Sequence, residues 1–149
     1  MKVSHAPHKV YKIRYHIVIC VKYRRKVLFE KERIEFLKYI LSEITKRYHI
    51  NFEAVGTDGD HCHLFVDAPP KYSPSQIINL TKGITARQMF LRSPEIKQDL
   101  WGGQFWSDGG YVGTAGDGTT MEIIRNYVLK QGTKEEKEGF KQFKLFSFR

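Results

Sequence analysis

Long apolar runs are missing from this chain of 149 residues. The longest one near the N-terminus, Ile17 to Val21, falls far short of the roughly 20 residues that span a bilayer, and no apolar leader core precedes it. The expectation is a cytoplasmic protein that needs no membrane. Cysteine is scarce too. Cys20 and Cys62 each sit inside an apolar run, and two such residues make no disulfide framework, which fits a reducing compartment. Internal repeats, low-complexity tracts and long linkers are also lacking. A hydrophobic content of 41% suffices for one two-layer core but not for two, so a single domain over residues 1–149 is expected.

Acidic residues are sparse in one region only. Residues 1–50 hold 13 Lys or Arg against 4 Asp or Glu, while residues 51–149 hold 12 of each, so the first third carries the whole net charge of +9. A basic surface at one end of the fold makes polyanions the natural partners. Within it, Lys22, Arg24, Arg25 and Lys26 flank Tyr23, a combination able to grip phosphates and stack on a base, or simply to form a solvated basic loop.

Hydrophobic periodicity assigns the elements. Tyr11 to Lys22 alternates, with Tyr11, Ile13, Tyr15, Ile17, Ile19 and Val21 on one face and Lys12, Arg14, His16 and Lys22 on the other, as in a half-buried strand. Lys31 to Tyr48 switches to a helical period through Ile34, Leu37, Leu41 and Ile44. Residues 51–57 and 61–67 read as strands joined by Asp58-Gly59-Asp60. Ser73 and Pro74 open a second helix with a stripe at Ile77, Leu80, Ile84 and Leu91, leaving Lys82, Arg87 and Arg92 off the stripe. Residues 102–118 carry 7 of the 12 glycines around Phe105-Trp106 and Tyr111-Val112, a fourth strand between permissive joints that can hinge. Thr119 with Glu122 marks a capping box for a helix ending at Gln131, and Thr133 with Glu136 starts a short last one. The order strand, helix, strand, strand, helix, strand, helix predicts an α+β fold. Its expected form is a ferredoxin-like or RRM-like split βαβ sandwich, an antiparallel sheet with helices on one face plus a C-terminal tyrosine-bearing helix.

Two patterns carry chemistry. His61 and His63, two apart on a strand, share one face, while Cys62 and Leu64 point to the other. The imidazoles form either a pair of metal ligands or a pair of surface histidines on an edge strand. Cys62, on the far face, cannot reach the same ion and reads as a small buried hydrophobe. On the later helix, Ile123, Tyr127 and Gln131 share a face at spacings of four. Tyr127 either packs on the sheet or attacks phosphorus beside a metal, to which Gln131 offers a carbonyl.

Together these stretches resemble the single-tyrosine HUH transposases of the insertion-sequence 200/605 type. The matching segments are Tyr15 to Arg25, His61 to Val66, Ser75 to Arg87, Trp101 to Gly116, and Arg125 to Gln131, in family order. They define a catalytic core of about residues 11–132 followed by a tail at 133–149. Cys62 departs from the larger aliphatic usual between the two histidines. The resemblance implies that His61, His63 and Gln131 bind one divalent cation, Mg2+ or Mn2+, and that Tyr127 is the nucleophile. Tyr127 would form a 5′-phosphotyrosine link to single-stranded DNA and leave a 3′-hydroxyl able to reverse the step. It also implies recognition of subterminal DNA hairpins, with Lys22, Tyr23, Arg24, Arg25, Lys26, Lys82 and Arg87 as DNA contacts. A homodimer with active sites assembled in trans is implied, in a prokaryotic cytoplasm and close to the nucleoid.

Three other readings compete. A domesticated relative that processes chromosomal hairpin repeats shares the same core. A replication or conjugation initiator needs a helicase or primase segment that is not found here. A non-catalytic RNA-binding module needs exposed aromatics on adjacent central strands, where this chain has His61 and His63 instead. Gly113 to Thr120 lacks the lysine of a phosphate loop, so no nucleotide cofactor is expected.

Overall fold

A computed structural model of the chain describes residues 3–6, 9–100 and 102–115. In chain order the elements are β1 (Ser4–Ala6), β2 (Lys9–Tyr11), β3 (Arg14–Cys20), α1 (Lys31–Tyr48), β4 (Asn51–Thr57), β5 (His61–Asp67), α2 (Pro74–Arg92), α3 (Ile96–Asp99) and β6 (Tyr111–Thr114). The four long-range strands pair in the order β4-β5-β3-β6, each neighbouring pair antiparallel. With α1 crossing from β3 to β4 and α2 from β5 to β6, this is the ferredoxin-like split βαβ arrangement that the sequence predicts. The C-terminal helix that should carry Tyr127 lies outside the described residues.

Local chemistry explains the boundaries. Ser73 caps α2 through a reciprocal box with Gln76, and Pro74 occupies the first turn, where its missing N–H costs nothing. α1 ends on His49 in the left-handed region, whose N–H returns to the Thr45 carbonyl. Both helices pack on the sheet face formed by Ile17, Ile19, Val21, Cys62, Leu64 and Val66, through Leu37, Leu41, Ile44, Ile77 and Met89.

Four expectations need correction. The strand expected from Tyr11 to Lys22 is shorter: Lys9–Tyr11 leaves it to form a separate hairpin with Ser4–Ala6, tied to the sheet where Ser4 Oγ donates to Asp67. Nor is it half-buried, since β3 is an inner strand and Arg14 and His16 on its second face are buried as well. Arg14 is tolerated there because a bulge in β4 between Phe52 and Ala54 turns Glu53 toward it, with Nε donating to Oε1 at 2.7 Å. The buried stripe of α2 is Ile77, Thr81, Thr85 and Met89, and Leu91 is exposed. Thr85 can sit inside because its hydroxyl donates to the Thr81 carbonyl at 2.6 Å and accepts the Trp106 indole N–H at 2.9 Å.

The glycine-rich segment differs too. Phe105 and Trp106 are core residues joined to the sheet only by a single bridge from Val21 to Trp106, and the strand itself is confined to Tyr111–Thr114. Before that strand the chain runs against β3. Gly110 lies so close to β3 that a Cβ would meet the Val18 carbonyl oxygen at 2.9 Å.

Gly59 in the β4–β5 turn has φ +64, and a Cβ there would meet the exposed Phe29 ring at 2.9 Å. The ring can yield; the backbone conformation cannot. Gly59→Ala should cost about 1–2 kcal/mol and Gly59→Asn about half as much in urea unfolding. A loss for Ala of less than about 0.3 kcal/mol would contradict the turn's need for a left-handed residue.

Candidate functional site

β5 lies between β4 and β3, so its residues have a paired strand on each side. His61 and His63 share the face opposite Cys62 and Leu64, at 0% and 2% exposure. This excludes surface histidines on an edge strand. Their ring centroids are 5.5 Å apart and tilted by 56°. Cys62 is a buried free thiol packed in the helix-side core, and burial pushes it up to about 12. It acts as a small apolar residue, as expected.

Burial also sets the imidazoles' charge. It lowers His61, partly opposed by Asp60, and holds His63 well below the usual histidine range, with His16 and His61 adding in the same direction. Neutral imidazole is the form that keeps a lone pair for a cation.

Two residues overlooked in the sequence reading hold these rings. The Asp60 carboxylate accepts the Nδ1–H of His61, which leaves the lone pair on Nε2, and its other oxygen accepts from Arg24 Nε at 3.3 Å. His16 Nε2 lies 2.8 Å from His63 Nδ1. Asp60 reads from sequence only as a turn residue, and His16 as one of a polar row with Lys12 and Arg14. The available signal was register. In the sheet order of this fold β3 and β5 are neighbours, and His16 falls opposite Phe65, diagonal to His63.

The basic loop is pinned beside this site by backbone bonds. Val21 N–H donates to the Asp60 carbonyl at 2.8 Å and Leu28 N–H to the Gly59 carbonyl at 2.9 Å, so residues 22–27 are bracketed against the turn that precedes His61. Tyr23, Arg24, Arg25 and Lys26 are exposed and Lys22 is half-buried, its ammonium 5.5 Å from the Tyr23 ring centre. Tyr23 and Arg24 both adopt positive φ, 58° and 56°. Arg24 thus has two faces, an exposed one and an ion pair with Asp60 behind His61.

Lys82 and Arg87 are not brought into that loop. The Lys82 ammonium donates to the Ser107 carbonyl at 2.9 Å and also to the Gly109 carbonyl, fastening the glycine-rich segment to α2. Arg87 is exposed on α2. Tyr127 and Gln131 lie outside the described residues. Among the described residues no group of three or more His, Cys, Asp or Glu is arranged to hold a metal ion, so the histidine pair would need a further donor. No described helix is long and apolar enough to cross a membrane.

Comparison with known proteins gives a consistent result. The family model described as "Transposase IS200 like" matches residues 9–131. The ISDra2 transposase TnpA of Deinococcus radiodurans is 34% identical over 126 residues, covering 85% of this chain and 89% of that protein. The transposase for insertion sequence element IS200 of Salmonella typhimurium is 28% identical over 132 residues, 89% of this chain and 84% of its own length. A crystal structure described as that of a transposase from Deinococcus radiodurans R1 superposes with a TM-score of 0.68 at 32% identity, covering 89% of this chain and 99% of that one. A REP-associated tyrosine transposase bound to a REP hairpin shares the fold, with a TM-score of 0.54 at 10% identity over 80% of this chain and 68% of that one.

The carbonyl contacts of Lys82 give it a structural duty whatever else it touches. Lys82→Met, which keeps the apolar stem, should lower stability by about 1–2 kcal/mol in urea unfolding without DNA. Unchanged stability would contradict the anchoring of Ser107 and Gly109.

Proposed function

The chain belongs to the IS200-like transposase family, and from that premise we propose that it cuts and rejoins single-stranded DNA at insertion-sequence ends. The observation that carries this reading is the buried pair His61 and His63 on one face of β5, with the basic loop pinned beside it.

The donors fit a divalent cation. His61 and His63, joined by the amide oxygen of Gln131, would hold it. Imidazole ligands suit Mn2+ at least as well as Mg2+. Such an ion, when bound, supplies Lewis-acid polarisation of the scissile phosphate and offsets charge as it builds on phosphorus. The rest is the work of side chains. Tyr127 gives up its phenolic proton and its oxygen attacks phosphorus in line with the 3′ oxygen. A phosphotyrosine bond to the 5′ side forms as the bond to the 3′ oxygen breaks, and that oxygen takes a proton to become a hydroxyl. Attack by a 3′-hydroxyl on the phosphotyrosine reverses the exchange and rejoins DNA. One ester replaces another of similar energy, so no nucleotide is consumed.

Lys22, Arg24, Arg25 and Lys26 grip phosphates of the single strand, and Tyr23, exposed on a strained loop, offers a face for a base. The recognised ends are subterminal hairpins. A protein of this fold bound to a REP hairpin is consistent with that class of ligand. The working form is a homodimer in which the Tyr127 helix of one subunit completes the histidine pair of the other, in the cytoplasm and close to the nucleoid.

Single-stranded oligonucleotides with candidate element ends, labelled at the 3′ end, test this reading on denaturing gels with and without Mn2+. Wild type should retain label covalently only with the metal, and Tyr127→Phe should lose it by at least about 10³-fold. An adduct that survives Tyr127→Phe would contradict the proposed nucleophile. Mixing Tyr127→Phe with His61→Ala subunits should restore cleavage, and a mixture that never does would contradict assembly in trans.

A further inference from the structure

His63 is joined to the sheet by a second imidazole. Its Nδ1 lies 2.8 Å from His16 Nε2, the two rings are within 13° of coplanar, and their centroids are 5.0 Å apart. At that nitrogen separation, such a centroid distance is reached only when both nitrogens lie on the line between the ring centres. The rings therefore meet edge to edge, and the contact is one nearly linear N–H···N hydrogen bond rather than a stack.

A single proton lies between them, and its owner decides what His63 can do. If it sits on His16 Nε2, neutral His63 accepts at Nδ1 and carries its own proton on Nε2, which then has no lone pair to give. If it sits on His63 Nδ1, Nε2 holds the lone pair. His61 already has this second arrangement, because an Asp60 carboxylate can only accept from its Nδ1.

We propose that His16 is a positioning residue of the site: its Nε2 accepts the Nδ1–H of His63 and fixes the tautomer in which both histidines of β5 present Nε2 to one cation. The inference rests on the cation site proposed above. Asp60 and His16 then play the same part for two adjacent rings, one from the turn and one from the neighbouring strand.

The surroundings of His16 are built to hold it in place. Its ring stacks on Phe65 with centroids 4.7 Å apart and planes within 8°, and Tyr111 meets it at 5.6 Å and 64°. Register accounts for both contacts, since Phe65 of β5 and Gly113 of β6 are its partners across the two flanking strands. A Cβ on Gly113 would lie 2.5 Å from the Tyr111 hydroxyl oxygen, so the absence of a side chain there leaves the space that the tyrosine occupies. A ring restrained on three strands and only 6% exposed costs more to bury than an aliphatic would, a cost that its hydrogen bond to His63 offsets.

Two measurements decide the matter. Long-range 1H–15N correlation spectra of metal-free wild-type protein read the tautomers directly. His63 should be protonated on Nδ1 and His16 unprotonated on Nε2, whereas His63 protonated on Nε2 would overturn the proposal. These spectra need no variant, so they stand whether or not a substitution at His16 folds. Mn2+ affinity, measured by electron paramagnetic resonance, supplies the second test. His16→Gln, whose amide oxygen can accept at similar reach, should stay within about 3-fold of wild type, and His16→Leu should weaken binding about 10–100-fold. Equal affinity in all three proteins would overturn the positioning role. Wild type that binds no Mn2+ would instead remove the cation site itself, and the tautomer spectra would still decide what His16 does.

Discussion

An imidazole on an inner strand, buried on both faces, is pushed toward its neutral form and has to be held. That constraint on His61 and His63 organises the site. β5, lying between β4 and β3, withdraws these rings from water, which disfavours their charged form. Each ring then takes a partner supplied by the fold, Asp60 from the β4–β5 turn and His16 from β3. The result is a pair of rings held in place by a scaffold that has lost its entropy on folding.

The basic loop is coupled to this pair through Asp60. Arg24, Asp60 and His61 form a continuous chain of hydrogen bonds from an exposed guanidinium to a buried ring. Tyr23 and Arg24 both occupy the left-handed region, a conformation costing on the order of 1–3 kcal/mol at each non-glycine residue. The backbone bonds of Val21, Lys22 and Leu28 to Asp60, Phe105 and Gly59 hold the loop there. This bracket holds the basic loop and the histidine pair in fixed relation within one chain.

Much of this was legible in the sequence. α1, β4 and β5 begin and end, and α2 begins, where periodicity, the Asp58-Gly59-Asp60 turn and the Ser73-Pro74 cap put them, because those signals are local. The histidine pair was legible for the same reason, since a spacing of two on a strand settles the shared face. What stayed hidden depends on distant partners. His16 and His63 are 47 residues apart and meet only through strand register. Thr85 looked polar because nothing in the sequence says that the Thr81 carbonyl and the Trp106 indole will satisfy its hydroxyl. Arg14 looked solvated until a bulge in β4 aimed Glu53 at it. Three-residue strands such as β1 and β2 carry too few alternations to be seen at all.

Anomalous diffraction from crystals grown with Mn2+ tests the central claim most directly. One peak should appear on the β5 face, within ordinary Mn–N bonding distance of the Nε2 atoms of both His61 and His63, with a phenol of Tyr127 from either subunit close by. A peak elsewhere, or ligation through Nδ1, would contradict the claim that the sheet presents these two rings to a single cation.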